Sequence, residues 1–377
     1  MSDTPSTIAN VERLHALMDR DGLAAVVARS GTNFTYLAGF DYAGTLARHL
    51  DLSDSPRGVV AVWPRHGEPV LVLNRIAADR AERDAGVRRF EICDDYGESM
   101  WGRVAKVLLD LGLGAERLGI EKSVVSAAHF EELGAALPDA DLADCGPTLH
   151  EVRWIKTDGE IALIREAARW LDEVYLNVLP SAKVGEPESA LHARLIGACI
   201  ERGANWAHGI LNSSRNRVFY GGESSFTFAA GDVIRNDYVL WYQGYPGHQS
   251  RTAVIGEPSA KRQRDYRTIR DIYRATVDQV RPGVAASAVH AFATQAFADA
   301  GYPGRVAIAG HSVGPWWHQQ PPFLVPSDHA PIEAGMVLAL EPHVNEYHLQ
   351  DMFLITEDGN ELLSPLMSTD EMLVAEG

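Results

Sequence analysis

The chain has 377 residues, a formal net charge of −17 and three cysteines. A chain of this length can bury a core without disulfides or metals, and it is long enough for about two domains. The excess of acidic residues argues against nucleic-acid binding, because contacts with phosphates require a basic face. We therefore expect no nucleic-acid partner.

The cysteines and the first residues predict a cytoplasmic protein. Cys93, Cys145 and Cys199 are far apart and lack CxxC spacing, which is typical of reduced thiols. The segment MSDTPSTIANVE is polar and acidic, so we expect no signal peptide. No window approaches 18 uninterrupted apolar residues, so we also expect no membrane span.

The first 150 residues predict a small α/β domain, because helix and strand patterns alternate along them. Apolar residues at helical spacing predict helices over residues 11–20 and 100–111. Short apolar runs bounded by turn residues predict strands over 23–27, 59–63, 69–73 and 118–120.

A second domain is predicted over residues 151–377, with the boundary near Gly146-Pro147. An amphipathic helix begins at Asp158, and further helices are predicted over 186–202, 262–280 and 285–300. Strands are predicted over 232–240, 249–255, 336–340 and 352–355.

Histidines within short apolar segments mark this second half as the part that carries chemistry. The five are His248, His311, His318, His343 and His348, and Asp237 and Glu341 lie among them. Imidazoles and carboxylates are ligands of Zn, Mn and Fe. A buried polar network in which every member is hydrogen-bonded is the alternative.

The local contexts are more specific than the spacing. Four segments occur in order: GDVIRNDYVLWYQGYPGHQSRT, AGHSVGPWWHQQPP, EAGMVLALEPH and QDMFLITEDGNELLS. Together they resemble the creatinase/aminopeptidase P/prolidase superfamily, which is metallopeptidase family M24. HEVRWIKTDGEIALIREAA resembles the family's domain junction, and RLHALMDR and GTNFTYLAGF resemble its N-terminal domain. The resemblance implies an α+β protein and a homodimer, with a C-terminal pita-bread domain preceded by a smaller α/β domain of the creatinase type.

The resemblance also implies five metal ligands, in the order Asp, Asp, His, Glu and Glu. The matching positions here are Asp237, His248, His311, Glu341 and Gln350. In the family the second and fifth ligands bridge two metals, and neither an imidazole nor an amide replaces a bridging carboxylate. We therefore expect either one divalent ion (Zn, Mn or Fe) per subunit or a metal-free site.

Further site residues follow from the same resemblance and, for Trp316, from the alternation of side chains along a strand. His318 matches a histidine that contacts substrate, and Tyr220 stands where the family often has another. The candidate catalytic residues are His318, His311, Glu341 and Tyr220. The candidate substrate contacts are His318, Trp316, Arg251 and His343, although the position of Arg251 also suits a role in fixing the sheet.

These residues predict a hydrolase that cleaves a C–N bond (amide, amidine or ureido) in a small polar metabolite, because the two bridging carboxylates are lost while other site positions are kept. Three alternatives remain open. They are an Xaa-Pro dipeptidase of the aminopeptidase P type, a lyase of the dimethylsulfoniopropionate-cleaving type on the same fold, and a non-catalytic binding module.

Overall fold

The computed structural model describes residues 8–42, 58–94, 97–218, 224–302, 304–344 and 346–376. The chain divides into two units, Met1–Arg153 and Trp154–Gly377. No helix among the described residues is both long enough and apolar enough to cross a membrane.

The first unit is a six-stranded mixed sheet with helices. The strand order is β4-β3-β2-β1-β5-β6, in which β1 runs antiparallel to β2 and parallel to β5. The strands are β1 (Ala25–Ala28), β2 (Val59–Pro64), β3 (Val70–Asn74), β4 (Arg89–Cys93), β5 (Arg117–Ile120) and β6 (Asp141–Asp144). The helices are α1 (Val11–Asp21), α2 (Gly31–Ala38), α3 (Arg75–Asp84), α4 (Met100–Asp110), α5 (Ala127–Ala136) and α6 (Gly146–Trp154).

Local sequence signals explain these elements. The Asn10 side chain accepts a hydrogen bond from the Arg13 amide at the start of α1, and Gly22 ends that helix with a left-handed φ of 67°. Strands β1, β2 and β3 are buried along their whole length, which is why their sequences are continuous apolar runs. Two apolar clusters include alternate residues of these strands and so form a core on each face of the sheet.

The second unit contains the remaining helices and two five-stranded sheets. The helices are α7 (Asp158–Val178), α8 (Glu188–Arg202), α9 (Ala260–Val277) and α10 (Ala286–Asp299), and a 3-10 turn covers Leu179–Ser181. The first sheet contains β7 (Trp206–Ser213), β8 (Val233–Tyr242), β9 (Tyr245–Gln249), β10 (Ala253–Ile255) and β16 (Leu373–Ala375). The second contains β11 (Gly310–Ser312), β12 (Gln320–Phe323), β13 (Val337–Leu340), β14 (Asp351–Ile355) and β15 (Asn360–Leu362).

One bridge joins the two sheets. Ser250 and Gln350 exchange backbone hydrogen bonds of 3.2 and 3.1 Å, immediately after β9 and immediately before β14. This bridge explains an error in the sequence prediction. The single strand predicted over 249–255 is two strands, because the chain leaves β8 at Ser250 to pair with Gln350 and returns to β8 at Ala253.

Helix α7 packs directly against β9 at a glycine. A Cβ atom built on Gly247 would lie 2.2 Å from the carbonyl oxygen of Ala167, which is backbone and cannot move aside as a side chain can. We predict that Gly247→Ala lowers the free energy of unfolding by about 1–3 kcal/mol, since overpacking forces backbone shifts. Urea denaturation would measure this. Gly359→Ala, where a Cβ meets no atom within 4 Å, is the control, and equal stability of the two variants would contradict the packing argument.

Candidate active site

Strands β8 and β9 place Asp237 beside His248. Val239 pairs with His248 in the antiparallel ladder, so Asp237 is the diagonal neighbour of His248 on the same face of the sheet. The Nε2 atom of His248 lies 2.8 Å from Oδ1 of Asp237. The histidine is buried, whereas the aspartate side chain retains 15% of its exposure. Asp237 is therefore a carboxylate that solvent or a substrate can reach.

The second sheet places three more predicted residues on one face. Leu340 pairs with Asp351, so Glu341 and Gln350 lie opposite each other just beyond the ends of β13 and β14. His311 pairs with Ala339, two residues before Glu341, and is therefore diagonal to the glutamate. His311, Glu341 and Gln350 are all buried.

A directed chain of hydrogen bonds links Gln350 to Asp237. The Ser250 hydroxyl donates to Oε1 of Gln350 over 3.1 Å, and Nε2 of Gln350 lies 2.9 Å from Nδ1 of His248. Because the amide NH₂ is a donor only, Nδ1 of His248 accepts, and Nε2 therefore carries the hydrogen that it donates to Asp237. Both ring nitrogens of His248 are occupied by this chain.

Glu341 is surrounded by imidazoles without being hydrogen-bonded to them. Its Oε1 lies 3.4 Å from Nε2 of His311, and its Oε2 lies 3.4 Å from Nε2 of His348. Neither of these imidazole nitrogens makes a hydrogen bond in the described part of the chain, and neither does Oε1 of the glutamate. Buried polar atoms of this kind ordinarily have a partner, which can be ordered water, an ion or a polar atom of another molecule.

Arg235 adds a positive charge to the same pocket. It lies two residues before Asp237 on β8 and so faces the same side of the sheet. Its Nη2 lies 3.1 Å from Nε2 of His343, whose Nδ1 donates to the carbonyl oxygen of Glu341 over 2.8 Å. The ring of His348 lies 4.2 Å from that of His343, centroid to centroid.

Aromatic rings form the wall next to His318. Its ring centroid lies 4.4 Å from that of His248, 5.9 Å from Trp241 and 4.9 Å from Trp317. Nδ1 of His318 has no hydrogen-bond partner among the described residues. The other aromatic candidate, Trp316, is buried and has a left-handed φ of 66°, and Trp317, not Trp316, is the exposed member of the pair. Tyr220 lies outside the described residues.

Arg251 lies within the sheets and is fully enclosed. Its guanidinium forms an ion pair with Asp351, and both side chains are buried. Nη1 also donates to the carbonyl oxygens of Ser250 and Gln350, over 2.9 Å each. These contacts hold the bridge between the two sheets, which agrees with a role of Arg251 in fixing the sheets.

The two carboxyl groups of the pocket have opposite electrostatic environments. Burial and the charge of Asp237 raise the pKa of Glu341 well above its usual range, against the opposing effect of Arg235. Burial also acts to raise the pKa of Asp237, but the imidazole of His248 outweighs it and holds that pKa below its usual range. Two carboxyl groups whose pKa values are pushed apart in this way are suited to act as an acid and a base.

Four buried imidazoles of the pocket have lowered pKa values. Burial, followed by the neighbouring His248, lowers the pKa of His311 to about 3. Burial and the charge of Arg235 lower the pKa of His343 to about 4. Burial is also the largest effect that lowers the pKa values of His318 and His348, and both lie well below the usual range. These rings therefore act as hydrogen-bonding groups at neutral pH, and they carry no charge.

The strand that carries His248 is held from behind by α7. The hydroxyl of Tyr175 donates to the carbonyl oxygen of Gln249 over 2.7 Å. The side-chain amide nitrogen (Nε2) of Gln249 donates to Oδ1 of Asp172 over 2.6 Å, and the hydroxyl of Ser364 donates to the other oxygen of that carboxyl group. The helix therefore fixes both the main chain and the side chain next to His248.

Burial raises the pKa of Asp172 to about 7 in this network. At pH values between the usual pKa of an aspartate and 7, the carboxyl group is protonated in the folded chain and ionised in the unfolded chain. The folded chain then binds one more proton, so the free energy of unfolding falls as the pH rises from 5 to 8. We predict that Asp172→Asn abolishes on the order of 2 kcal/mol of this decrease. Urea denaturation at both pH values would measure it. The exposed Asp358→Asn is the control, and a pH dependence unchanged in D172N would contradict the argument.

The residues present do not fit the pair of divalent ions that the resemblance implies. Both nitrogens of His248 and both polar ends of Gln350 are occupied by hydrogen bonds to protein groups. Among the described residues, one group of three or more His, Cys, Asp or Glu side chains has ligand atoms within 4.8 Å of one another: Glu341, His343 and His348. In that group Nε2 of His343 already accepts a hydrogen bond from Nη2 of Arg235.

Arg235 was not among the residues predicted from the sequence, and no specific role was predicted for His348. Arg235 could have been found, because alternation along β8 places it on the face of Asp237. His348 gave no such signal, since it lies in a loop that only the tertiary structure brings to Glu341.

Comparisons with known proteins agree with this architecture. Residues 162–357 match metallopeptidase family M24, and residues 10–155 match the creatinase/prolidase N-terminal domain. The chain is 28% identical over 349 residues to the probable dipeptidase PepE of Mycobacterium bovis, covering 90% of this chain and 89% of that one. It is 23% identical over 371 residues to the Xaa-Pro dipeptidase of Lactobacillus delbrueckii subsp. lactis, covering 93% and 95%.

A solved structure shares the fold. The Xaa-Pro dipeptidase from Bacillus anthracis superposes with a TM-score of 0.81 at 21% identity, covering 97% of this chain and 98% of that one. The predicted α+β fold, with a pita-bread domain after a creatinase-type domain, is thereby confirmed. The chain belongs to metallopeptidase family M24 and is a hydrolase of the creatinase/aminopeptidase P/prolidase superfamily.

Proposed function

We propose that this protein hydrolyses the amide bond of a small polar substrate, and that Xaa-Pro dipeptides are the first class to test. Relatives that align with nearly the whole chain are named as dipeptidases, which supports a substrate of that size. The observation that carries the proposal is the pair of carboxyl groups, Asp237 and Glu341, held in one pocket with their pKa values pushed apart.

In this scheme Asp237 is the general base. It is the carboxylate of the pocket that keeps exposure, and the N–H of His248 orients it. Asp237 takes a proton from a water molecule, whose oxygen bonds to the carbonyl carbon of the substrate. The buried carboxyl of Glu341 then gives its proton to the leaving nitrogen as the C–N bond breaks, and the proton on Asp237 returns to Glu341 through water.

The neutral imidazoles position the substrate. Nε2 of His311 and Nδ1 of His318 are buried and make no hydrogen bonds in the described part of the chain, so both can contact polar atoms of a substrate. Trp317, which is exposed, lies beside His318 and offers apolar surface to a side chain or a ring of the substrate.

A second candidate is the hydrolysis of a non-peptidic C–N bond, in an amidine or a ureido compound. The specific observation that favours it is the chain from Ser250 through Gln350 and His248 to Asp237. That chain occupies two positions at which the resemblance implies carboxylates, so the site differs from that of an ordinary Xaa-Pro peptidase.

One experiment separates these candidates. The purified protein would be incubated in H₂¹⁸O with Xaa-Pro dipeptides and, separately, with amidines and ureido compounds, and the products followed by mass spectrometry. Release of proline with one ¹⁸O in the new carboxylate of its partner supports the dipeptidase. Turnover confined to the second group of compounds favours the non-peptidic candidate, and products without ¹⁸O indicate elimination and contradict both.

We also propose that the protein is a homodimer, as the resemblance implies, and that it is cytoplasmic, which its widely spaced cysteines support. Size-exclusion chromatography with light scattering would test the assembly, and a mass of one subunit would contradict it.

A further inference from the structure

Arg235 is a buried cation in a place where a sheet seldom carries one. Its residue exposure is 2%, and β8 places it on the face that carries Asp237. Arginine is almost never fully buried unless it is paired. We therefore expect the guanidinium to have partners in this pocket, and its neighbours are consistent with that.

The groups around it would otherwise form a metal site. Glu341, His343 and His348 are two imidazoles and one carboxylate with ligand atoms within 4.8 Å of one another. Two histidines and a glutamate are an established set of ligands for a divalent ion. All three residues are buried, and neither ring nitrogen of His348 makes a hydrogen bond among the described residues.

The guanidinium blocks this set in two ways. Nη2 of Arg235 donates to Nε2 of His343, while Nδ1 of His343 donates to the carbonyl oxygen of Glu341, so no lone pair of that ring is left for a metal. A fixed positive charge next to the three ligands also repels a dication, and it does so strongly because burial weakens screening.

We propose that Arg235 is the resident cation of this part of the pocket, where its guanidinium takes the place of a divalent ion among Glu341, His343 and His348 and keeps this set free of metal. Arg235 is thus a positioning residue. It fixes the ring of His343 and offsets the negative charge of the pocket. This inference concerns the charge of the site and holds for any substrate.

The test measures metal content. Wild type, Arg235→Met and Arg235→Lys would be incubated with Co²⁺, freed of excess by gel filtration, and analysed for bound metal and for visible absorption by the ion. We expect Arg235→Met to bind about one Co²⁺ per subunit, with affinity on the order of 100-fold above that of the wild type, because the charge and the hydrogen bond are both removed. Arg235→Lys keeps the charge and is expected to remain free of metal.

A double variant locates the ion. His348→Ala in the Arg235→Met background should abolish the binding, which shows that the ion sits in the proposed set. If Arg235→Met does not fold, Arg235→Gln removes the charge with less change in shape and takes its place. The inference is overturned if wild type binds an ion that His343→Ala removes, or if the folded, uncharged variant binds none. Both results measure bound metal and do not depend on turnover, so a failure of this inference can be distinguished from a failure of the proposed function.

Discussion

Asp237→Asn should retain the fold and lose activity by about a thousandfold in kcat/KM, as expected when a general base is removed. The asparagine has the same shape, and its carbonyl oxygen can still accept the hydrogen bond from Nε2 of His248. It cannot take a proton from water. Kinetics with the substrate identified by the ¹⁸O experiment would measure the loss, and thermal unfolding would show that the fold is kept.

The exposed Asp358→Asn makes the same chemical change far from the pocket and should leave kcat/KM unchanged. A D237N variant with activity close to that of the wild type would show that another group activates the water. In that case the assignment of Asp237 as base is wrong, although the hydrogen bond to His248 remains.

The largest expected effect on stability is that of Arg251→Met. This change leaves the carboxylate of Asp351 buried without its cation and removes the donors to the carbonyls of Ser250 and Gln350. Breaking a buried ion pair from one side costs about 3–5 kcal/mol, because a buried charge is left uncompensated. Urea denaturation followed by circular dichroism would measure the decrease in the free energy of unfolding.

An exposed ion pair provides the matched control. Arg267 and Glu371 lie 3.2 Å apart, with side-chain exposures of 50% and 64%. Arg267→Met should lower the free energy of unfolding by about 0–1 kcal/mol. The double variant Arg251→Met/Asp351→Asn should be more stable than Arg251→Met alone, since the lone charge is gone. If R251M and R267M were equally stable, the buried pair would not hold the two sheets.

The sequence predicted the parts of the site that depend on local pattern and order along the chain. Asp237, His311 and Glu341 were placed by motifs, and the structure brings them to one pocket. The apolar periodicity that predicted α1 and α7 reflects faces that are buried in the cores of their own units. The family itself was also predicted, because ordered motifs survive at sequence identities as low as those of the relatives.

The tertiary structure alone decided how the predicted ligands are used. His248 and Gln350 are 102 residues apart, and they form a hydrogen bond where the bridge between Ser250 and Gln350 joins the two sheets. Arg235 and His343 are 108 residues apart, and their hydrogen bond likewise depends on the tertiary structure. A sequence pattern records which side chains are available and which face of a strand they share. Whether an imidazole is left to bind a metal depends on the hydrogen bonds it already makes, and those are set by long-range packing.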